Sequence, residues 1–145
     1  MQSILRTQPV PDSVYANVPG SRTRHRAGVI MAALAILFLL FDSLGKLMQA
    51  APAVEGTIQL GYPASAVRLI GFILLLCVIV YAVPSTSVLG AILLTGYLGG
   101  AVATQLRVGN PLLTHTLFPI YVAVLIWGSL LLREDRLRAL FPLRR

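Results

Sequence analysis

The residues of this chain that could do chemistry are few, and most of them lie beside long apolar runs. Asp42 and Lys46 stand at the end of the first run, four residues apart with the acid toward the N-terminus. This order favours an ion pair along one face of a helix. Charged and hydrogen-bonding groups are costly at membrane depth, so each needs a partner or a function. The other candidates flank later apolar runs: Arg68, Gln105, Arg107 and His115.

Two interpretations of the Asp42 and Lys46 pair are open. In the favoured one the pair satisfies itself, Lys46 also offsets the negative end of the helix dipole, and Lys46 and Arg68 extend toward the membrane interface. In the other, Asp42 faces a ligand or handles a proton. His115 stands at the start of a predicted helix beside an aqueous boundary, where a solvated or capping role is the simpler expectation.

The composition of the chain indicates whether the helices that carry these residues lie in water or in a membrane. Hydrophobic residues make up 57% of the 145-residue chain and charged residues 12%. A soluble domain usually has about a quarter of its residues charged. The apolar residues also form long blocks rather than the short periodic stripes of a surface helix. The sequence therefore predicts one all-α domain that is integral to a membrane.

The apolar blocks predict four helical spans. They cover about 27–48, 66–83, 88–106 and 114–132, within a transmembrane domain over 27–132. Short links, one of them at Pro84, favour a four-helix up-and-down bundle. The longest connection predicts a short interfacial helix that begins near Pro52 and ends near Gly61.

The basic residues predict the orientation of this bundle. Residues 1–26 are polar and predict a disordered N-terminal tail, and residues 133–145 predict a basic C-terminal tail. Nine of the twelve Lys and Arg residues lie in these tails. Because such residues are retained in the cytoplasm, both termini are predicted to be cytoplasmic, in a bacterial inner membrane. The net charge of +7 thus indicates topology rather than a nucleic-acid partner. A cleaved signal peptide in the first run is the less favoured alternative.

The third span carries small residues at every fourth position, in two adjacent rows. Rows of this kind let helix backbones approach closely in lipid. Packing inside the bundle is the favoured interpretation, and a homodimer seam is the alternative. The residues concerned are Ala91, Thr95, Gly96, Gly99, Gly100 and Ala103.

No pattern in the sequence identifies an enzyme. It contains no nucleophile and base at motif spacing, no glycine-rich phosphate loop, no CxxC and no metal-ligand cluster. Cys77, the single cysteine, lies in an apolar run and is expected to be buried. The two histidines, His25 and His115, fall on opposite predicted sides, which disfavours paired haem or metal ligation within one chain. The sequence instead predicts a cavity between apolar helices with polar residues at one end. Such a cavity is suited to an amphipathic molecule such as a quinone, or to lipid.

Several segments resemble one family of membrane proteins. They are LGAILLTGYLGGAVAT, RVGNPLLTHTLFP and the closing LRED with RLRAL, and DSLGKL in the first span fits the same pattern. From Leu60 onward the chain resembles the DoxX-like family of four-helix bacterial membrane proteins. The resemblance implies a site among Asp42, Lys46, Arg68, Arg107 and His115. It also implies a quinone as a candidate ligand and membrane redox-complex subunits as partners, besides the lipid bilayer.

The chain also departs from the family pattern at ionisable positions. Leu74 stands where the second span usually carries a glutamate, Gln105 where the third usually carries a histidine, and Ser85 where an arginine commonly follows the proline. If the family does proton-coupled or redox chemistry through these groups, this member is expected to be weakened or to serve in binding or assembly.

Three functions are therefore compared. The favoured one is binding of a lipophilic molecule or partner subunit, as an accessory to a membrane redox system. The second is a quinone- or sulfur-linked oxidoreductase subunit, which would need a bound cofactor or a redox partner. The third is a small transporter or channel, for which polar residues through the membrane depth or an inverted repeat would be expected, and neither is visible.

Overall fold

The computed structural model describes residues 19–134 and residue 137, with side chains from residue 22 onward. Within these ranges the chain is helical and has no strand. The α-helices are α1 (Pro19–Leu47), α2 (Ala51–Gln59), α3 (Ala66–Ala82), α4 (Ser87–Val108) and α5 (Phe118–Arg133). A 3-10 turn precedes α4 and a π-helical turn precedes α5. The tail predicted over 1–26 lies outside the described residues up to residue 18, as does most of the tail predicted over 133–145.

Three helical stretches are long and apolar enough to cross a membrane, namely 22–47, 84–108 and 112–133. The apolar helix α3 is shorter, with 17 residues. At 1.5 Å per residue it is about 26 Å long, close to the hydrocarbon thickness of about 30 Å. The expectation of an all-α membrane protein is thereby confirmed, with three to four helices of spanning character.

Two helix starts differ from the sequence expectation. α1 begins at Pro19, within the stretch predicted as a disordered tail, and its 29 residues make it about 44 Å long. Arg22, Arg24 and Arg26 are exposed on its first turns. α5 begins at Phe118 rather than near residue 114, because Leu112–Thr116 form the π-helical turn. Pro119 then occupies the first turn of α5, where its missing amide hydrogen is tolerated.

The four long helices form a closed ring. α1 packs against α3 and α5, and α4 packs against the same two helices, so that α1 and α4 lie on a diagonal. Consecutive helices in this ring run antiparallel, since the start of α1 meets the end of α5 and the end of α1 meets the start of α3. The core between them is apolar and includes Leu39, Leu74, Leu94, Ile126 and Leu130.

One end of the bundle, which we call the Tyr81 end, is tightly packed. It comprises the start of α1, the end of α3, the start of α4 and the end of α5. A Cβ atom built on Gly90 would lie 2.3 Å from Cα of Tyr81, and one on Gly28 would lie 2.9 Å from the Ser129 carbonyl oxygen. The Tyr81 hydroxyl is 2.6 Å from Oγ of Ser129, which donates to the Ile126 carbonyl at 2.8 Å. These hydroxyl groups are satisfied within the bundle, whereas the buried Nε of Arg133, at the end of α5, has no hydrogen-bond partner among the described residues.

The small residues of α4 do not all pack as expected. Ala91 is fully buried, whereas a Cβ built on Gly96, Gly99 or Gly100 would meet no described atom within 4 Å. These three glycines therefore make no close packing contact with any described residue. The residues of α4 that are buried against neighbouring helices lie on a different face and include Ala91, Leu94 and Leu98. The remaining members of the predicted rows, Thr95 and Ala103, are also exposed.

Candidate ligand-binding cavity

The opposite end of the bundle, which we call the Lys46 end, is hollow. It comprises the end of α1, α2, the start of α3, the end of α4 and the start of α5. Two adjoining cavities lie here, one of about 440 Å³ between the long helices and one of about 420 Å³ beside α2. Both volumes are within the range of small-molecule sites. The residues that line both cavities are Asp42, Lys46, Thr57, Leu60 and Gln105.

The cavity between the long helices, which we call the apolar chamber, has mainly hydrocarbon walls. They include Leu39, Ile73 and Val122 from three different helices. Phe38 of α1 and Phe118 of α5 also line it, and their rings meet edge to face with centroids 5.3 Å apart. The apolar tail of a ligand would move from lipid into this chamber without burying a polar group.

The boundary between the apolar chamber and the cavity beside α2 is polar. The Lys46 ammonium donates to a carboxylate oxygen of Asp42, and the two side chains are 15% and 36% exposed, respectively. Beside them, Oε1 of Gln105 accepts a hydrogen bond from the Asn110 amide. The amide hydrogens of Gln105 have no partner among the described residues, so they can donate to a molecule in the cavity.

α2 and the turn after it cover this boundary. The Thr57 hydroxyl is buried and donates to the Ala53 carbonyl at 2.7 Å, within α2. Thr104 donates to the Gly100 carbonyl at 2.9 Å, so the Tyr62 hydroxyl, 3.0 Å from the Thr104 oxygen, is the donor in that contact. Tyr62 thereby connects the turn to α4.

A second contact holds the same turn. Arg107 Nη2 donates to the Leu60 carbonyl at 2.7 Å. Gly61, the next residue, has a φ of +84°, in the left-handed region that glycine adopts at no steric cost. The chain therefore reverses direction at Gly61, and the carbonyl of the residue before it accepts a hydrogen bond from the end of α4.

The structure brings together four of the six residues proposed from the sequence. Asp42, Lys46 and Gln105 meet at the boundary, and His115 lines only the cavity beside α2, which we call the polar chamber. Nδ1 of His115 is 2.8 Å from the neighbouring Thr114 hydroxyl. Arg107 lines neither chamber and instead supports the turn, and the exposed Arg68 lines neither.

Other lining residues were not among the predicted site residues. Thr57, Tyr62 and Tyr97 line the apolar chamber, and Asn110 lines the polar one. Tyr62 lies in a turn without hydrophobic period, and Tyr97 lies within an apolar run where an aromatic residue is ordinary. The one usable signal is Thr57, a hydroxyl-bearing residue within the predicted interfacial helix.

The positions that depart from the family pattern lie in different surroundings. Leu74 is fully buried in the core and lines neither chamber, whereas Gln105 lines both.

Cys77 is a free, buried cysteine. In the part of the chain that the structure describes, no three His, Cys, Asp or Glu side chains come together as a metal site.

Long apolar helices around a ligand-sized cavity define a helical membrane protein with a candidate binding site. Residues 30–129 match the sequence model of the DoxX-like family, and the chain belongs to this family. The match includes every residue that lines the two chambers, and it confirms the resemblance found in the sequence. No curated protein and no solved structure shows a significant match to the chain.

Proposed function

We propose that this protein binds an amphipathic small molecule in its two chambers, as an accessory to a membrane redox system. The observation that supports this is the one-sided polarity of the cavity. The apolar chamber offers hydrocarbon walls, and the polar groups of Asp42, Lys46 and Gln105 lie together at its boundary with the polar chamber. A ligand would place its tail between the helices and its head at this boundary.

The proposed topology has four spans, with α3 as the shortest, in a bacterial inner membrane. Nine of the twelve basic residues flank the start of α1 and the end of α5. These ends are therefore cytoplasmic, and the chambers lie toward the outer leaflet. A cytoplasmic reporter fused after Arg145 is expected to be active and a periplasmic one inactive. The reverse result would place the chambers on the cytoplasmic side.

The redox association follows from the family resemblance and concerns partner subunits. Purification of the protein from its native membrane in mild detergent tests it directly. Co-purification of a redox enzyme subunit, with visible absorbance from its cofactor, is the expected result. A colourless protein without partners would remove the redox association and leave the binding proposal standing.

Binding is tested by comparing two glycine variants of α4. Gly100 lines the apolar chamber, and Gly96, one turn earlier, lines neither chamber. A Cβ at either position meets no described atom within 4 Å, so both variants should fold. Gly100→Phe fills part of the chamber, and Gly96→Phe adds the same side chain outside it.

The measurement is the amount of lipophilic compound extracted from each purified protein, determined by liquid chromatography and mass spectrometry. We expect one compound at a defined ratio in the unsubstituted protein and in Gly96→Phe, and about tenfold less of it in Gly100→Phe. Equal amounts in both variants, or no bound compound in the unsubstituted protein, would refute binding in the apolar chamber.

A further inference from the structure

We infer that the chambers select a ligand with an uncharged polar head, such as a long-chain amide, over a carboxylate or an amine with the same tail. This inference rests on the proposed function and specifies its ligand class. It starts from the only carboxylate and ammonium groups among the described residues that line the chambers. These groups, on Asp42 and Lys46, are already bound to each other.

The position of the ion pair gives it this effect. Asp42 and Lys46 lie one turn apart on α1, and both face both chambers. A head group at the boundary therefore meets a carboxylate and an ammonium together, with no net charge. Among the described residues that line the chambers, the only other basic side chain is that of His115, which lines the polar chamber alone.

Charged heads disturb this balance. A carboxylate head would share Lys46 with Asp42, which leaves one excess negative charge beside hydrocarbon walls. An ammonium head would share Asp42 with Lys46 and leave one excess positive charge. An excess charge in a medium of low dielectric is costly, and breaking a partly buried pair adds to that cost. An uncharged head leaves the pair intact.

Uncharged hydrogen-bonding groups are available beside the pair. Oε1 of Gln105 accepts a hydrogen bond from Asn110, and the two amide hydrogens of Gln105 have no acceptor among the described residues, so they can donate to a ligand. Tyr97 lines the apolar chamber, and its hydroxyl makes no hydrogen bond to any described residue. A carbonyl oxygen on the ligand can accept from these donors without any change in the charge of the site.

Three probes with the same hydrocarbon tail test the inference: oleamide, oleate and oleylamine. Each is radiolabelled, and its retention by the purified protein in detergent is measured at about pH 8.5, between the ordinary pKa values of a free carboxylic acid and a free amine, so that oleate and oleylamine are charged. The unsubstituted protein is expected to retain oleamide about tenfold better than either charged probe. Unlabelled oleamide should displace the label.

Variants of the pair should change this selectivity in opposite directions. Asp42→Asn leaves Lys46 unpaired and should make oleate the best-retained probe. Lys46→Met leaves Asp42 unpaired and should favour oleylamine. The double variant has no charge and should favour oleamide again. Arg68→Met removes an exposed charge outside the chambers and should leave the order of retention unchanged.

Each outcome is decisive. Retention of oleate or oleylamine equal to that of oleamide by the unsubstituted protein overturns the inference, while the proposed function stands. Retention of none of the three also overturns it, and the compound extracted in the Gly100→Phe comparison then decides the proposed function separately. If one single variant fails to fold, the other single variant and the double variant still test the exchange of selectivity.

Discussion

Glycine and polar residues occur at both ends of the bundle, but they are closely packed at the Tyr81 end and border cavities at the Lys46 end. At the Tyr81 end, Gly90 brings the backbones of α3 and α4 into contact, and the hydroxyls of Tyr81 and Ser129 bind each other. At the Lys46 end, the glycines of α4 meet no described neighbour, and Gln105 keeps donors that no described residue accepts. Close packing at one end allows the other to stay hollow.

Stability and binding are therefore expected to depend on different ends. Cavities reduce packing energy, so a bundle that keeps two of them needs compensating contacts elsewhere. The glycine contact at Gly90 and the buried hydroxyl pair are the contacts that the Tyr81 end supplies. Substitutions there should affect the free energy of unfolding, whereas substitutions around the chambers should affect mainly ligands and local motion.

The largest effect is expected from Gly90→Val. A Cβ at this position would lie 2.3 Å from both Cα and the backbone nitrogen of Tyr81, and backbone atoms cannot move aside as a side chain can. We expect a loss of about 3 kcal/mol or more in stability. The monodisperse fraction after detergent extraction, measured by size-exclusion chromatography, should fall sharply.

Gly96→Val is the matched control for this variant, because its Cβ meets no described atom within 4 Å. It should be extracted as well as the unsubstituted protein. Equal losses for both variants would show that α4 tolerates no valine at all, and the contrast between packed and open glycines would then be wrong.

A smaller effect is expected from Tyr81→Phe, which removes a buried hydroxyl 2.6 Å from Oγ of Ser129. Ser129 keeps its bond to the Ile126 carbonyl, so no donor is orphaned. The expected cost is about 1 kcal/mol, as for other buried hydrogen bonds between membrane helices. Equilibrium unfolding in mixed detergent measures it.

Tyr62→Phe provides the corresponding change at the Lys46 end. Tyr62 is 37% exposed, and Thr104 keeps its own bond to the Gly100 carbonyl. Its cost should be smaller than that of Tyr81→Phe. A larger cost would mean that the cover of the chambers, rather than the packed end, determines the stability of the bundle.

The smallest effect on stability is expected from Arg107→Leu. This exposed side chain holds the Leu60 carbonyl, so its loss should leave global stability within about 0.5 kcal/mol. Amide hydrogen exchange in the turn around Gly61 should nevertheless become faster, since that segment opens locally. The exposed Arg68, changed to leucine, should leave exchange in the turn unaltered.

The polar boundary could be predicted because charged and hydrogen-bonding side chains are costly in lipid, so that each one is informative. Asp42, Lys46 and Gln105 were proposed on that ground, and they line both chambers. Tyr62 could not be found this way, because it enters the cavity from a turn whose path depends on the positive φ of Gly61.

The helices were predicted from apolar length, and their packing was not. The spacing of Gly96 and Gly100 indicates that they share a face but does not tell whether that face points inward. The close contacts at Gly28 and Gly90 involve single glycines rather than rows of glycines. The early start of α1 was also missed, because the polar residues after Pro19 carry no apolar period although they can be helical.

Trp127 gives the bundle a built-in optical reporter. It is the single tryptophan of the chain, and its indole N–H donates to Oγ1 of Thr95 at 2.9 Å, across the seam between α5 and α4. Both helices also line the apolar chamber. Intrinsic fluorescence therefore comes from one known site on that seam, and a shift in emission during titration would report movement of α5 against α4 without an attached dye.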